Sequence, residues 1–561
     1  MIFNSDFPPI PDIQRPIADE WLETIWNHGV DNPKRAAFIV AETGEQITFH
    51  QLYWSSLSVA SYLKEMDFGH GDLALVILQN CWQYYPIFFG CALRGGELKV
   101  EVNEMFCLGA MSGASPLFTD FELNQQFVDS KAKIVFCMDY ALDRVLKATE
   151  NCSQLQKIIL VDGQTQNRNG VQIVSFSQLL QTIPTVTKTI ENLDLRNDVV
   201  LLPYSRLKFC SGTTGKPKGV MQSNFNYGMM LKIAFNHMDQ QVARRMDPNW
   251  NWRNEHIQSV LPFYHTFGFS TTLVALFGGS SCVIVRKFEP RIFLKTIQDY
   301  RIRIVFMVPP MILFLSKSSL VDEYNLSSIN YIQAGAAPLS SEIIELVKHR
   351  LPNIKQISQG YGMTEMSFAN HFPVFGADNS QASGKLMSNC QMKIVDLESR
   401  KPLGTNERGE ICIRGPIRMI GYFNRPEATR EIFDDDDFIR TGDIGFVDDV
   451  GLIYVVDRIK ELIKVKGYQV APAELEALLL TNPRIRDCAV FGVPHSQNGE
   501  APRAFVVPAD PKLTVDEVLE FVKTRAAPYK QLLGGVQFTD SIPKSPSGKI
   551  IRRKLKLDAK L

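Results

Sequence analysis

Between Leu73 and Val161 the chain alternates two patterns that cannot share one secondary structure. Compact aliphatic and β-branched runs at 73–78, 134–138 and 158–161 read as strands, whereas 82–94, 123–131 and 140–150 read as helices. Strands separated by helices need crossovers, which makes the strands parallel and places helices on both faces of the sheet. Ahead of this region Thr48-Phe49-His50-Gln51 fits a capping box, and Leu52, Leu57, Ala60 and Leu63 follow at helical spacing, so a helix is expected from Thr48 to about Glu65. With 561 residues the chain passes the ~250 to 300 at which one core stops growing, so at least two domains are expected.

Sixty basic and sixty acidic residues cancel, which removes the electrostatic argument for a nucleic-acid partner. The ten cysteines show no CxxC spacing and no clustering with histidine, so they read as buried thiols in a reducing compartment rather than disulfides or metal ligands. The opening MIFNSDFPPIPDIQRP lacks the apolar segment of a secretory signal. No transmembrane segment is expected either: the apolar block 304–315 falls short of the ~20 residues a spanning helix needs and contains Pro309-Pro310, so it reads as a buried strand and turn.

Chemistry concentrates in 207–222, LKFCSGTTGKPKGVMQ. A short strand, 207–210, breaks into Ser211, Gly212, Thr213, Thr214, Gly215, Lys216, Pro217 and Lys218. Glycines let backbone N–H groups converge on one concavity, and hydroxyls and ammonium groups surround it, a site suited to polyanionic phosphate. It is not a Walker A loop, because Gly212 and Gly215 are too close and Pro217 follows Lys216. Further on, YHTFG at 264–268, AGAAPL at 334–339, QGYGMTE at 359–365, TGD at 441–443, DRIKELIKVKGYQV at 457–470 and PKSPSGKI at 543–550 follow in order. From 384 to 421 the pattern turns β-rich, and beyond 470 helices near 472–480 and 515–526 and strands near 488–491 and 504–507 suggest a compact α/β unit.

Together these motifs resemble the adenylate-forming superfamily, which comprises acyl- and aryl-CoA synthetases, peptide-synthetase adenylation domains and beetle luciferases. The resemblance runs from about Ile47 to Arg553, and YGMTEM with DRIKELIKVKGYQVAP resembles most the fatty-acyl and coumarate-type CoA ligases. It implies an α/β fold: a large N-terminal domain of doubly wound sheets with a β-barrel-like subdomain over 1–457, a hinge at 458–460 pivoting on Lys460, and a small α/β C-terminal lid domain over 461–561. It implies that 211–218 hold the β- and γ-phosphates of ATP, and that Thr364 and Glu365 take the α-phosphate and Mg2+. Asp443 and Arg458 would bind ribose, and Tyr361, between Gly360 and Gly362, would stack on adenine. Lys549 would neutralise charge between carboxylate and α-phosphate, and Lys464, Lys466 and Gly467 join the nucleotide and coenzyme A set. On spacing alone His265 reads as a packed core residue; the resemblance makes it the gate of the acid site, with Phe267, Gly335, Ala336 and Ala337 lining a slot for a ring or an unbranched chain.

The expected activity is activation of a medium- or long-chain fatty acid or an aryl acid to an acyl-adenylate and its transfer to coenzyme A. A luciferase-like oxygenase and a nucleotide-binding protein without turnover are the alternatives. Ala559-Lys560-Leu561, after a basic run, matches a variant peroxisomal address and implies an import receptor as partner, with a cytoplasmic location as the alternative. The stretch 97–109, ELKVEVNEMFCLG, departs from the family spacing, and its fold is left open between an extra strand, a surface insertion and an artefact of sequence assembly.

Overall fold

A computed structural model describes the chain apart from residues 70, 96–109, 151, 169–170, 192, 206–217, 378, 467, 496, 545–548, 553 and 556–561. The open stretch 97–109 and the expected strand 207–210 therefore lie outside the described residues. Leu73–Ile77, Ile134–Cys137 and Lys157–Leu160 are adjacent parallel strands, as the alternation requires. Ala110–Gly113 pairs in parallel with the other edge of Leu73–Ile77 and is followed by Val199–Leu201. Side chains alternate between two cores: Ala74 and Val76 enter one, Leu73, Leu75 and Ile77 the other. This is what a strand covered on both faces requires.

The capping box at Thr48 forms: Thr48 Oγ1 accepts from Gln51 N at 3.1 Å, Gln51 Oε1 accepts from Thr48 N at 2.8 Å, and the helix runs Phe49–Glu65. A second box, Thr119 with Glu122, starts the helix Asp120–Ser130 three residues before the expected 123. The helix expected over 140–150 is a 3-10 turn, Asp139–Ala141, followed by Leu142–Thr149. The block 304–315 corrects the expected strand and turn: Ile304–Met307 is a strand, but Pro309–Lys317 is a helix whose first turn holds both prolines, where a missing N–H costs nothing.

Two further parallel sheets deliver the functional loops at the carboxyl ends of their strands. His256–Ser259, Ser281–Ile284 and Ala36–Val40 form one, which leads into 260–268. Ile304–Met307, Tyr331–Ala334 and Gln356–Gln359 form the other, which leads into 335–337 and 360–366. The expected β-rich stretch 384–421 supplies Gln391–Val395 and Gly409–Arg414 to a five-stranded antiparallel sheet, in which Ile439–Val447 and Ile453–Arg458, beyond that stretch, set Asp443 directly opposite Arg458.

Beyond Arg458 a smaller unit has its own core, including Ile463, Leu475, Val490, Val506 and Val518. The strands expected near 488–491 and 504–507 extend to a long hairpin, Ile485–His495 with Gly499–Pro508, and the helices are Pro472–Leu480 and Val515–Lys523. Contacts between side chain and backbone help join this unit to the larger one. Lys317 Nζ donates to Ile485 O at 3.0 Å, and the buried Asp457 Oδ2 accepts from Ala473 N at 3.2 Å, capping the helix Pro472–Leu480 from across the junction. Among the described residues no helix is long and apolar enough to cross a membrane.

Candidate active site

Asp443 is the hub of a buried polar cluster. Its Oδ2 accepts from Tyr361 Oη at 2.7 Å and its Oδ1 pairs with Arg458 Nε at 3.2 Å. Burial holds the Tyr361 phenol well above its usual range, so Tyr361 serves Asp443 as a neutral donor. Thr441 Oγ1 accepts from Asp443 N at 3.1 Å and fixes the turn that presents the carboxylate. A short carboxylate held by a guanidinium and a phenol on one side leaves its remaining lone pairs for the two hydroxyls of a ribose.

Lys549 reaches this cluster from near the other end of the chain. It lies within electrostatic reach of Arg458, Asp443, Glu365 and Glu461, and His265 feels its charge. The Lys549 side chain is open to water but hemmed by protein, and burial in the cleft with Arg458 beside it lowers its ammonium to about 8. Burial, then Lys549, lowers His265 to about 4, so its ring is neutral at pH 7. His265 Nδ1 accepts from Phe267 N at 3.2 Å, capping the helix Thr266–Gly278, which leaves the ring proton on Nε2.

Glu365 is fully buried in the 3-10 turn Thr364–Met366, and its Oε1 accepts from Tyr422 Oη at 2.8 Å. The Tyr422 ring lies 4.5 Å beneath Lys218 Nζ, so one aromatic joins the last residue of the phosphate-loop motif to the carboxylate. Gln222 Nε2 donates to Thr364 O at 2.6 Å and Gln222 Oε1 accepts from Ser367 Oγ at 2.7 Å, which ties the turn to the strand Lys218–Ser223. Among the described residues no group of three or more His, Cys, Asp or Glu side chains is placed to hold a metal. Glu365 alone suits Mg2+, a hard cation that takes one or two carboxylates and completes its shell with phosphate oxygens and water.

On the acid side the structure corrects one expectation. A Cβ on Gly335 would stand 2.9 Å from the Phe267 ring, so the room this glycine leaves is filled by that ring rather than by an open slot. Phe368 stacks on Phe267 at 5.8 Å. Ala336 turns the chain with φ 72°, and Ala337 follows it half-buried. A Cβ on Gly360 would come within 3.3 Å of Gln333 Nε2. Gly362 is exposed, yet a Cβ there would lie 2.2 Å from Phe368 O, so only glycine can present its backbone at this point.

Of the expected site residues, Ser211, Gly212, Thr213, Thr214, Gly215, Lys216 and Gly467 lie outside the described residues. Lys464 and Lys466 are exposed on the smaller unit, around the strand Ile463–Val465, and do not join the Asp443 cluster. Tyr422, Gln222, Phe368 and Glu461 were not expected. No spacing rule singles out Tyr422, because its role depends on a strand pairing, Val220 with Tyr422, that joins segments two hundred residues apart in the chain.

The AMP-binding enzyme family matches residues 25–423, and the AMP-binding enzyme C-terminal domain matches 474–549. A 4-coumarate–CoA ligase 1 from Petroselinum crispum is 38% identical over 99% of this chain and 96% of its own length. Luciferin 4-monooxygenase from Photinus pyralis is 35% identical over 93% of this chain and 91% of its own. An anthranilate CoA ligase solved with anthranoyl-AMP shares the fold with a TM-score of 0.81, over 99% of this chain and 98% of its own at 22% identity. The chain thus belongs to the adenylate-forming superfamily of AMP-binding enzymes, in its acyl- and coumarate-type CoA ligase branch, and is an AMP-forming acid–thiol ligase.

Proposed function

We propose that the protein converts an aryl acid of the hydroxycinnamate kind to its CoA thioester in two steps at one site. The observation that carries this is the meeting of Lys549 with Asp443, Arg458, Glu365 and His265, residues drawn from four separate motifs. A carboxylate oxygen attacks the α-phosphorus, the bond to the bridging oxygen breaks, and pyrophosphate leaves. The CoA sulfur, as thiolate, then attacks the acyl carbonyl, and AMP leaves with the electron pair of the C–O bond.

Asp443, Arg458 and Tyr361 hold the ribose and adenine end, and Lys218 faces the departing phosphates. Lys549 offsets the negative charge shared by the attacking carboxylate and the α-phosphate, a contribution that preorganisation makes large. Neutral His265 offers Nε2–H to the acid without adding a second cation beside Lys549. Glu365 would hold Mg2+, which when bound would supply charge neutralisation for the phosphates.

The choice of an aryl over a fatty acid is supported by the name of the Petroselinum crispum relative and by the aromatic wall of Phe267 and Phe368. Pyrophosphate release and thioester formation, measured across hydroxycinnamates, benzoates and C6 to C16 fatty acids, should be fastest with the aryl acids. Faster turnover of the long fatty acids would overturn that choice. A second reading, an oxygenase acting on its own acyl-adenylate, is favoured by the Photinus pyralis relative. Oxygen uptake or light from a supplied acyl-adenylate, without CoA consumption, would support it.

Two further expectations stand as part of this proposal. Residues 1–457 and 461–561 move as separate domains about Lys460, bringing Lys466-Gly467 to the site for the second step. The 559–561 address directs the protein to peroxisomes. A reporter carrying the last dozen residues that stays diffuse in the cytosol would refute the address.

A further inference from the structure

The described residues flanking Lys549 are tied down on both sides. Before it, Lys544 Nζ pairs with Asp487 Oδ2 at 2.6 Å, and Ile551 N donates to Pro543 O at 2.8 Å. After it, Arg552 spends each of its nitrogens on a different element. Its Nε donates to Val490 O at 3.0 Å, its Nη1 to Glu461 Oε2 at 2.8 Å and its Nη2 to Glu476 Oε1 at 2.6 Å. Asp487 and Val490 lie on one strand, Ile485–His495, and Glu476 on the helix Pro472–Leu480. Glu461 is the residue immediately after Lys460. The Arg552 and Glu476 side chains are only 17% and 12% exposed, so that pair is not a solvated surface one, while Glu461 is 36% exposed.

We propose that Arg552 is a positioning residue for adenylation: it locks the Lys549 loop to the segment just past the pivot, so that the domain's rotation sets where the Lys549 ammonium stands. This rests on the assignment of Lys549 to the first half-reaction. A planar fork satisfying three acceptors in fixed directions defines an orientation, which a point charge on a flexible stem does not. Glu461 is what couples the loop to the pivot, since the remaining two anchors lie deeper in the small domain. Misplacing a reacting charge by about 1 Å can cost on the order of 100-fold in rate.

The test uses the full-length enzyme and measures the half-reactions apart: pyrophosphate release for adenylation, and thioester formation from supplied acyl-adenylate and CoA. Arg552→Lys keeps a cation beside Glu476 and loses the fork. It should lower the adenylation rate constant about 10-fold or more while the KM for ATP and the rate of thioester formation change less than about threefold. Glu461→Gln breaks the ion pair to Arg552 at the pivot and also removes a charge near Lys549, so it is read beside the pH profile of adenylation. It should move the same step in the same direction by about threefold or more at a pH where Lys549 stays charged, and it carries the test if Arg552→Lys does not fold. Lys549→Ala is run alongside. If Lys549→Ala adenylates normally, the reading of Lys549 fails and this proposal with it. If Lys549→Ala is impaired but Arg552→Lys and Glu461→Gln both adenylate normally, that reading stands and the positioning role is refuted. Parallel loss of both half-reactions in Arg552→Lys would make Arg552 a structural group only and likewise refute it.

Discussion

At the scale of single residues, the proposed mechanism makes adenylation depend on the charge of Lys549. Its ammonium is lowered to about 8, so the cation is present below that pH and is lost as pH rises through it. Adenylation should therefore decline above about pH 8, and Lys549→Arg should carry the plateau further into the alkaline range. Lys549→Ala should cost on the order of 100-fold in pyrophosphate release. Thioester formation from supplied acyl-adenylate should survive that change. The acid site gives a second prediction, because Phe267 already fills the space over Gly335. Gly335→Leu must push that ring toward the acid, so the preferred substrate should shrink while the KM for ATP holds. Unchanged acid preference in a folded variant would place the pocket elsewhere. Asp443, Arg458, Tyr361, Glu365 and Lys549 each sit in a dense local motif that singles them out in the sequence, and the structure brings them together. Tyr422 and Phe368 are not singled out, since one depends on a strand pairing remote in the chain and the other on a ring stacked across loops.

At the scale of elements, period and capping chemistry were read well where they are local. Thr48 and Gln51 announce their helix, and the same signature at Thr119 and Glu122 marks an earlier helix start than the apolar pattern from 123 does. Thr119→Ala should cost about 1 kcal/mol of stability, measured by denaturant unfolding, with activity unchanged. The helix Pro309–Lys317 was mistaken for a turn because two adjacent prolines read as breakers; they break a helix only in its interior. The hairpin of the small domain was underestimated for a related reason. Pro494 and Pro502 interrupt the sequence pattern but lie within strands whose pairing continues past them, Pro502 opposite Gly492.

At the scale of the whole molecule, two reactions are proposed to share one site, with the pivot at Lys460 selecting between them. Lys460→Pro fixes φ at that point and should leave pyrophosphate release largely intact while transfer to CoA stalls. Equal loss of both half-reactions would favour a static site. The two-part organisation was legible from length and from the motif at 457–470, but the contacts that hold the parts together were not. Asp457 and Ala473 are close in sequence, yet nothing in a list of letters says that a carboxylate on one domain crowns a helix on the other. If the small domain rotates as proposed, that bond would give the enzyme a default posture: turning away would take the carboxylate from the helix end and leave a polar group on each side to find water. The idle molecule would then wait in the arrangement that accepts acid and nucleotide, and the thiol would be admitted last, once there is an activated acyl group for it to receive.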